Sequence, residues 1–518
     1  VKFLYPLLAA LLAIFAIAPL AYPGAFQSHT GLIAYYNLID LDQQRAQFFA
    51  WSPVIVQPFD VLRTEGALPY LTAEIFHLIG FNFLDAIKIV YALAWLASAI
   101  AMYALARQFV SDAGALLASI VYVYLPFHIA TVYVRGAFAE AVAWALFPLV
   151  LLALIRQQTA YCLLFTVLLF FTQPGIALLF SIAALLIALA LRTNWRIGLQ
   201  SIVSGLAIGV ILYVPALGHY GAAISADRFT ANFVFPFQLF SPQFGFGLST
   251  GNYRDQFPFQ LGVVPLGLAI IAAALAWRAN ANNHRRTLAI LLGAVIVITL
   301  LTFSIAAPVW WVLGIFVSYP WQILAFAGLA LALIAGLVID LDTRFAAPAM
   351  LAFLVALPIV ASYNYLAPRF LDANPSRPAI AIFGDNEIAL WDYRIVGPLR
   401  HGATLRLQLT WQALHPIKND YTIFVRAVNE DGKTYGEENA KPQNNTLPTP
   451  TWVPGDVIFD THTIQIDVEG PPEGYHLEFG LSDAASGQRV LTRTGVDHIS
   501  VPRPGDPAPI ISEQLPPR

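Results

Sequence analysis

Apolar residues fill the first two thirds of the chain in long runs, and from about Pro378 the pattern changes to alternation of apolar and polar positions. In hydrocarbon every backbone polar group must be bonded within its own segment, so apolar runs of about 17 to 25 residues have to be helices. Residues 3–22, 86–106, 113–133, 137–155, 175–191, 197–217, 259–277, 287–306, 321–339 and 346–362 meet that condition. A shorter run, Tyr161 to Phe171, stops at Thr172-Gln173-Pro174-Gly175, where a turn between two short spans is expected. The pattern predicts a polytopic α-helical membrane bundle of about 11 transmembrane helices over residues 1–365.

The second pattern has period two. Ile380 to Phe383, Leu405 to Trp411, Tyr421 to Val428 and Thr461 to Ile466 alternate as half-buried strands do, with turns at Asp431-Gly432, Gly470-Pro471-Pro472 and Ser486-Gly487. An all-β sandwich over 376–502 is the predicted closure, joined by the polar connector Ala373 to Pro378 and followed by a proline-rich tail, 503–518. Trp391, Trp411, Phe424 and Trp452 on this part are expected in its core rather than on a sugar-stacking face.

Composition agrees with the pattern. Of 518 residues, 58% are hydrophobic and 11% charged, and the mean hydropathy is +0.65, more apolar surface than a water-soluble core can hide. A net charge of -3 without a long Lys/Arg run excludes a nucleic-acid partner. The single cysteine, Cys162, lies inside an apolar run and is expected to pack as a small hydrophobe. Phe3 to Leu20 is long enough to be an uncleaved membrane anchor.

Lys and Arg near helix ends set the expected orientation. With the N-terminus cytoplasmic, Lys2, Arg107, Arg156, Arg192, Arg196, Arg278, Arg285, Arg286 and Arg344 fall inside, against Lys88, Arg135 and Arg369 outside. That places the loops at about 23–85 and 218–258, and the C-terminal domain, on the extracytoplasmic side of the cytoplasmic membrane. Ala67 to Gly80 is apolar but too short to span, so a helix in the interface is expected, with Glu74 and His77 on a solvated edge.

Charge in the middle of the spans is nearly absent, which argues against a coupled transporter or a flippase. Ionisable side chains collect instead at the outer surface. The first outer loop carries His29, Asp40, Asp42, Arg45, Asp60, Arg63 and Glu65, and Arg135 with Glu140 stands at the junction of two spans. A carboxylate near an acceptor hydroxyl and cations near a leaving phosphate are what sugar transfer needs. Asp40, Asp42 and Glu140 are the candidate catalytic acids, and Arg45, Arg63 and Arg135 the candidate phosphate contacts.

Tyr133 to Leu154 (YVRGAFAEAVAWALFPLVLLAL) resembles a stretch of bacterial membrane proteins labelled as related to 6-pyruvoyl-tetrahydropterin synthase, whose architecture is similar to the GT-C membrane glycosyltransferases. Pro236 to Gly251, Gln260-Leu261-Gly262 and Ser318 to Gly336 carry the same resemblance, and Leu409 to Ala413 with Pro448 to Asp460 resembles a β-domain appended to such transferases. The resemblance implies transfer of a sugar from a polyprenyl-phosphate donor to an envelope glycan, lipid or protein acceptor. It also implies a first-loop acid as base or metal partner and a second acid after the third span, where Glu140 fits and would hold a divalent metal ion. His29 is followed by Thr30 where the family pattern has an acid, so Asp40 or Asp42 would substitute, and Gln322 replaces an Arg at a substrate-binding position. The alternative from another class is a non-catalytic envelope protein whose β-sandwich binds glycan or protein.

Overall fold

The computed structural model describes residues 4–44, 66–191, 195–217, 232–246, 249, 251–278, 282–314, 316–317, 319–370, 379–452 and 457–501. The chain divides into two compact units, Val1–Tyr22 with Gln27–Arg369, and Pro23–Phe26 with Phe370–Arg518. The expected connector and the proline-rich tail lie outside the described residues.

The first unit is helical. Its α-helices, in chain order, are α1 (Leu4–Ile17), α2 (Gly31–Gln44), α3 (Leu68–Leu78), α4 (Phe83–Ala106), α5 (Asp112–Val123), α6 (Pro126–Tyr133), α7 (Phe138–Ile155) and α8 (Thr159–Thr172). They continue with α9 (Pro174–Ala190), α10 (Trp195–Leu217), α11 (Val263–Arg278), α12 (Asn282–Leu301), α13 (Ala307–Leu313), α14 (Leu324–Leu341) and α15 (Pro348–Ser362). Six stretches among the described residues are long and apolar enough to cross a membrane: Leu4–Ala21, Phe83–Ala106, Phe138–Ile155, His284–Leu301, Pro320–Leu341 and Pro348–Leu366. Further apolar helices, such as Thr159–Thr172, Pro174–Ala190 and Val263–Arg278, are shorter. The chain is thus a multi-pass membrane protein by the length and composition of its helices.

Helix α14 is the axis of this unit: all of its span is buried, against 17% for that of α12. Two glycines make the burial possible. A Cβ at Gly114 would stand 2.7 Å from the Gly336 carbonyl oxygen, and one at Gly336 the same distance from that of Gly114, so α5 and α14 cross backbone to backbone. Caps fix where helices begin. The Asn82 side chain accepts from the Asp85 amide at 2.7 Å to start α4, and Ser111 accepts from the Gly114 amide at 3.2 Å to start α5, each with an Asp in the first turn.

The expected helix over 113–133 is broken: α5 and α6 meet at an angle of 41°. Pro126 has no amide hydrogen to give and restricts the preceding Leu125, which sits at ψ 128, outside the helical range. The expected solvated edge on Ala67 to Gly80 is also corrected. Glu74 is buried in α3, which packs on α2 and α4, and His77 stacks on Phe83 with centroids 3.8 Å apart. The exposed face of this segment is apolar, carrying Ile75, Leu78, Ile79 and Phe81.

The second unit carries β1 (Ala381–Phe383), β2 (Ile388–Val396), β3 (Thr404–Ala413), β4 (Tyr421–Val428), β5 (Thr434–Ala440), β6 (Val457–Gln465), β7 (His476–Asp483) and β8 (Ile499–Val501). They form two four-stranded antiparallel sheets in the orders β1-β2-β3-β6 and β5-β4-β7-β8. In β3, Leu405, Leu407 and Leu409 face inward while Thr404, Arg406 and Gln408 face solvent, the alternation the sequence shows. Gly432 and Gly487 take φ of 77° and 70° at two of the expected turns. Trp391, Trp411, Phe424 and Trp452 are all buried, as core residues.

One polar cluster is sealed in this unit. His462 on β6 is fully buried, with Nε2 2.8 Å from Asp460 Oδ2 and Nδ1 3.2 Å from Glu438 Oε2 on β5. Burial alone would lower the imidazole pKa, but the hydrogen bond to Asp460 and the charges of Asp460 and Glu438 outweigh it and raise it to about 9. A folded-state pKa above the unfolded value near 6.5 gives stability that is complete below pH 6.5 and lost as pH rises through about 9. Limited proteolysis of the full-length protein should therefore cut the second unit faster above pH 9 than at pH 6.5, and His462→Phe should remove most of that difference. Equal pH dependence in both proteins would refute the assignment.

Candidate functional site

Three interruptions of the helical chain meet at one carboxylate. The first is the link between α6 and α7, where the α6 carbonyls are closed by loop amides, Arg135 N to Ala130 O at 2.8 Å and Gly136 N to Val132 O at 3.0 Å. Gly136 takes φ 61°, and a Cβ there would lie 2.5 Å from Ser28 Oγ, so the turn needs glycine. The second is Gln173, which links α8 to α9 in an extended conformation ahead of Pro174. The third is the 3-10 turn Pro320–Ile323 that leads into α14.

Each interruption contributes one side chain. Arg135 donates through both terminal nitrogens to the two oxygens of Glu140, in the first turn of α7. Gln322 Nε2 donates to Glu140 Oε1 at 2.6 Å, and Gln173 Nε2 approaches the same oxygen at 3.4 Å. All four side chains are buried. Gln322 is held in turn by the Tyr319 amide, which donates to its Oε1 at 3.1 Å. Gln173 presents its nitrogen to the carboxylate, so its Oε1 faces away from Glu140, and among the described residues that oxygen meets no donor.

Aromatic rings close one side. The Arg135 guanidinium lies 4.5 Å from the Trp321 ring centroid, and Trp321 is stacked on Tyr319 at 5.0 Å and packed against Phe257 at 4.7 Å. The indole nitrogen of Trp321 donates to Ser249 at 3.1 Å, whose hydroxyl donates to Asn232 at 2.9 Å.

The segment before α2 covers the Arg135 turn. His29 N donates to Val134 O at 3.0 Å and Thr30 N to Arg135 O at 2.8 Å, while Thr30 Oγ1 reaches the carbonyls of Arg135 and Gly136 at 2.9 and 3.1 Å. Thr30, which stands where an acid was expected, therefore holds the loop to the centre. His29 lies 3.0 Å from Phe246 O through Nε2, so this nitrogen carries the proton and Nδ1 keeps the lone pair. Burial lowers the His29 pKa below 6.5, the Phe246 carbonyl works against the shift, and the Arg135 charge adds to it. The ring is neutral at pH 7.

The structure thus brings together Arg135, Glu140 and Gln322 of the expected set. Asp40 and Asp42 lie on α2, where Asp42 is half-buried, about 15 to 18 Å along the helix axis from Thr30. Arg45 and Arg63 lie outside the described residues. Gln173 and Trp321 complete the centre and were not among the expected site residues, and His29, named in the first-loop cluster without a role, joins them. The signal for Gln173 was a polar residue at a proline break in an apolar run.

In this arrangement Glu140 is met by donors rather than by further metal ligands. Its oxygens are met by a guanidinium and two amide nitrogens, donors suited to an anion, and no group of three or more His, Cys, Asp or Glu side chains among the described residues is arranged to hold a metal.

Removing one partner of this pair strands the other charge in an apolar interior at a cost of about 3–5 kcal/mol. Glu140→Ala should lower the thermal stability of the detergent-purified protein by more than the double variant Arg135→Met with Glu140→Leu does. Equal losses would mean that the pair is not coupled. No protein-family model matches this chain and no curated protein matches its sequence.

Proposed function

We propose that this protein is a membrane glycosyltransferase of the GT-C type that moves a sugar from a polyprenyl-phosphate donor to an extracytoplasmic acceptor. In this reading the shorter apolar helices join the six long ones in about 11 crossings. The N-terminus is cytoplasmic and the two sheets of the second unit close as an extracytoplasmic β-sandwich. The observation that carries the proposal is the buried Arg135–Glu140 pair, met by two amides where three helix interruptions converge in a bundle otherwise poor in charge. Ionisable groups buried at such cost among apolar helices mark function more often than packing.

Each side chain then has a task. The acceptor hydroxyl attacks the anomeric carbon, the bond from that carbon to the phosphate oxygen breaks, and its electron pair leaves with the polyprenyl phosphate. Arg135 meets that phosphate by exchanging one of its bonds to Glu140 for a phosphate oxygen. Glu140 and Trp321 orient the guanidinium. Gln173 Oε1, an acceptor with no donor among the described residues, receives a substrate hydroxyl. The acceptor proton passes to a base from the first loop. His29, neutral and with its Nδ1 lone pair, stands beside Arg135 and is the base this reading favours, whereas Asp40 and Asp42 lie about three turns further along α2.

A second reading has one observation in its favour. Both Glu140 oxygens are already bonded to Arg135, as in a structural ion pair, which suits an envelope anchor whose second unit binds glycan or protein.

Sugar transfer by the purified protein in lipid, from a panel of polyprenyl-phosphate donors, separates the two. Wild-type transfer with a loss of about 10²- to 10⁴-fold in His29→Ala or Asp42→Ala names the base. A histidine base gives an acid limb in kcat/KM that lies below pH 6.5, because only the neutral ring accepts the proton. Folded wild-type protein that transfers no sugar from any donor would leave the anchor reading standing.

A further inference from the structure

On another side of the helical unit, α9, α12, α13 and the start of α14 line a groove of about 330 Å³ whose wall is carbon almost throughout. It lies along a lipid-facing side of the unit: only 17% of the α12 span is buried, and Leu186 and Val297 on the groove's flanks are 61% and 57% exposed. Gly293 and Ala294 lie among the larger aliphatic side chains of the lining. A Cβ at Gly293 would meet nothing within 4 Å, so the glycine leaves space that no neighbouring side chain fills. From Ile290 to Leu301 the groove follows α12 for about 16 Å. An apolar cavity of this kind stays dry, and in a bilayer the filler at hand is hydrocarbon.

One end of the groove is charged. Arg286 stands one turn before Ile290, is exposed, and donates through one terminal nitrogen to the carbonyl of Ala190, a lining residue, at 2.6 Å. Its other N–H groups remain for an anion at the mouth. The neighbouring Arg285 is used differently, closing the end of α11 through Ala276 O at 2.6 Å and Trp277 O at 3.1 Å.

We propose that this groove is a binding site for an anionic bilayer phospholipid, with one acyl chain laid along Gly293 and the headgroup phosphate on Arg286. Chain and headgroup are recognised by separate parts of the site. The apolar wall accepts any acyl chain, and Arg286 selects the charge. None of the lining residues bonds Glu140, though Ile323 at one end belongs to the turn that carries Gln322.

Native mass spectrometry of the full-length protein, released from nanodiscs of equal phosphatidylglycerol and phosphatidylcholine, reads the selection directly. The wild type should retain phosphatidylglycerol preferentially. Arg286→Gln should cut that preference about five-fold, the equivalent of about 1 kcal/mol for one cation at the membrane surface. Gly293→Leu should reduce retention of both lipids, since its side chain enters the open space. Equal retention of the two lipids by the wild type, or an unchanged preference in Arg286→Gln, would overturn the proposal. So would preferential retention of a polyprenyl phosphate added in competition, which would give the groove to a different lipid.

Discussion

A carboxylate buried among apolar helices must be neutralised or protonated, and Glu140 in the first turn of α7 is held by the Arg135 guanidinium. That requirement organises the surrounding chain. Arg135 can reach back to Glu140 only because α6 ends and Gly136 turns the backbone at positive φ. The remaining acceptor capacity of the carboxylate draws Gln173 and Gln322 out of two other interruptions. Irregular backbone inside a membrane protein needs partners within the protein, and here the interruptions give one another theirs.

The rest of the helical unit supplies a stiff frame for this centre. Helix α14 is buried throughout its span and touches α5 at the Gly114 and Gly336 backbones, so little side-chain rearrangement is available between them. The turn that carries Trp321 and Gln322 leads directly into that helix. The centre is therefore positioned by the most enclosed element of the fold, which favours a fixed geometry over an adaptable one.

The β unit shows the same physics in another setting. His462 and Asp460 occupy inward positions of β6, two residues apart and hence on one face, and Glu438 approaches from β5. In the helical unit a cation neutralises a buried acid, whereas in the β unit two acids hold a buried imidazole in its charged form.

Much of this was legible in the chain. The long apolar runs and the alternation in Leu405 to Trp411 specified helices and strands because each pattern can bury its apolar face in only one backbone geometry. The turn at Thr172 to Gly175 was legible from its proline. The break at Pro126 was not read, since membrane helices tolerate proline and the sequence does not say where one bends. Buried Glu74, on a segment expected to expose it, shows the same limit. Sequence by itself determined the two structural classes, the poverty of charge in the spans, and Arg135 and Glu140 as the residues to examine. Only the tertiary structure decided that Gln173 and Gln322 complete the carboxylate's shell, because residues 33 and 182 positions away from Glu140 meet it through packing, which local pattern does not encode.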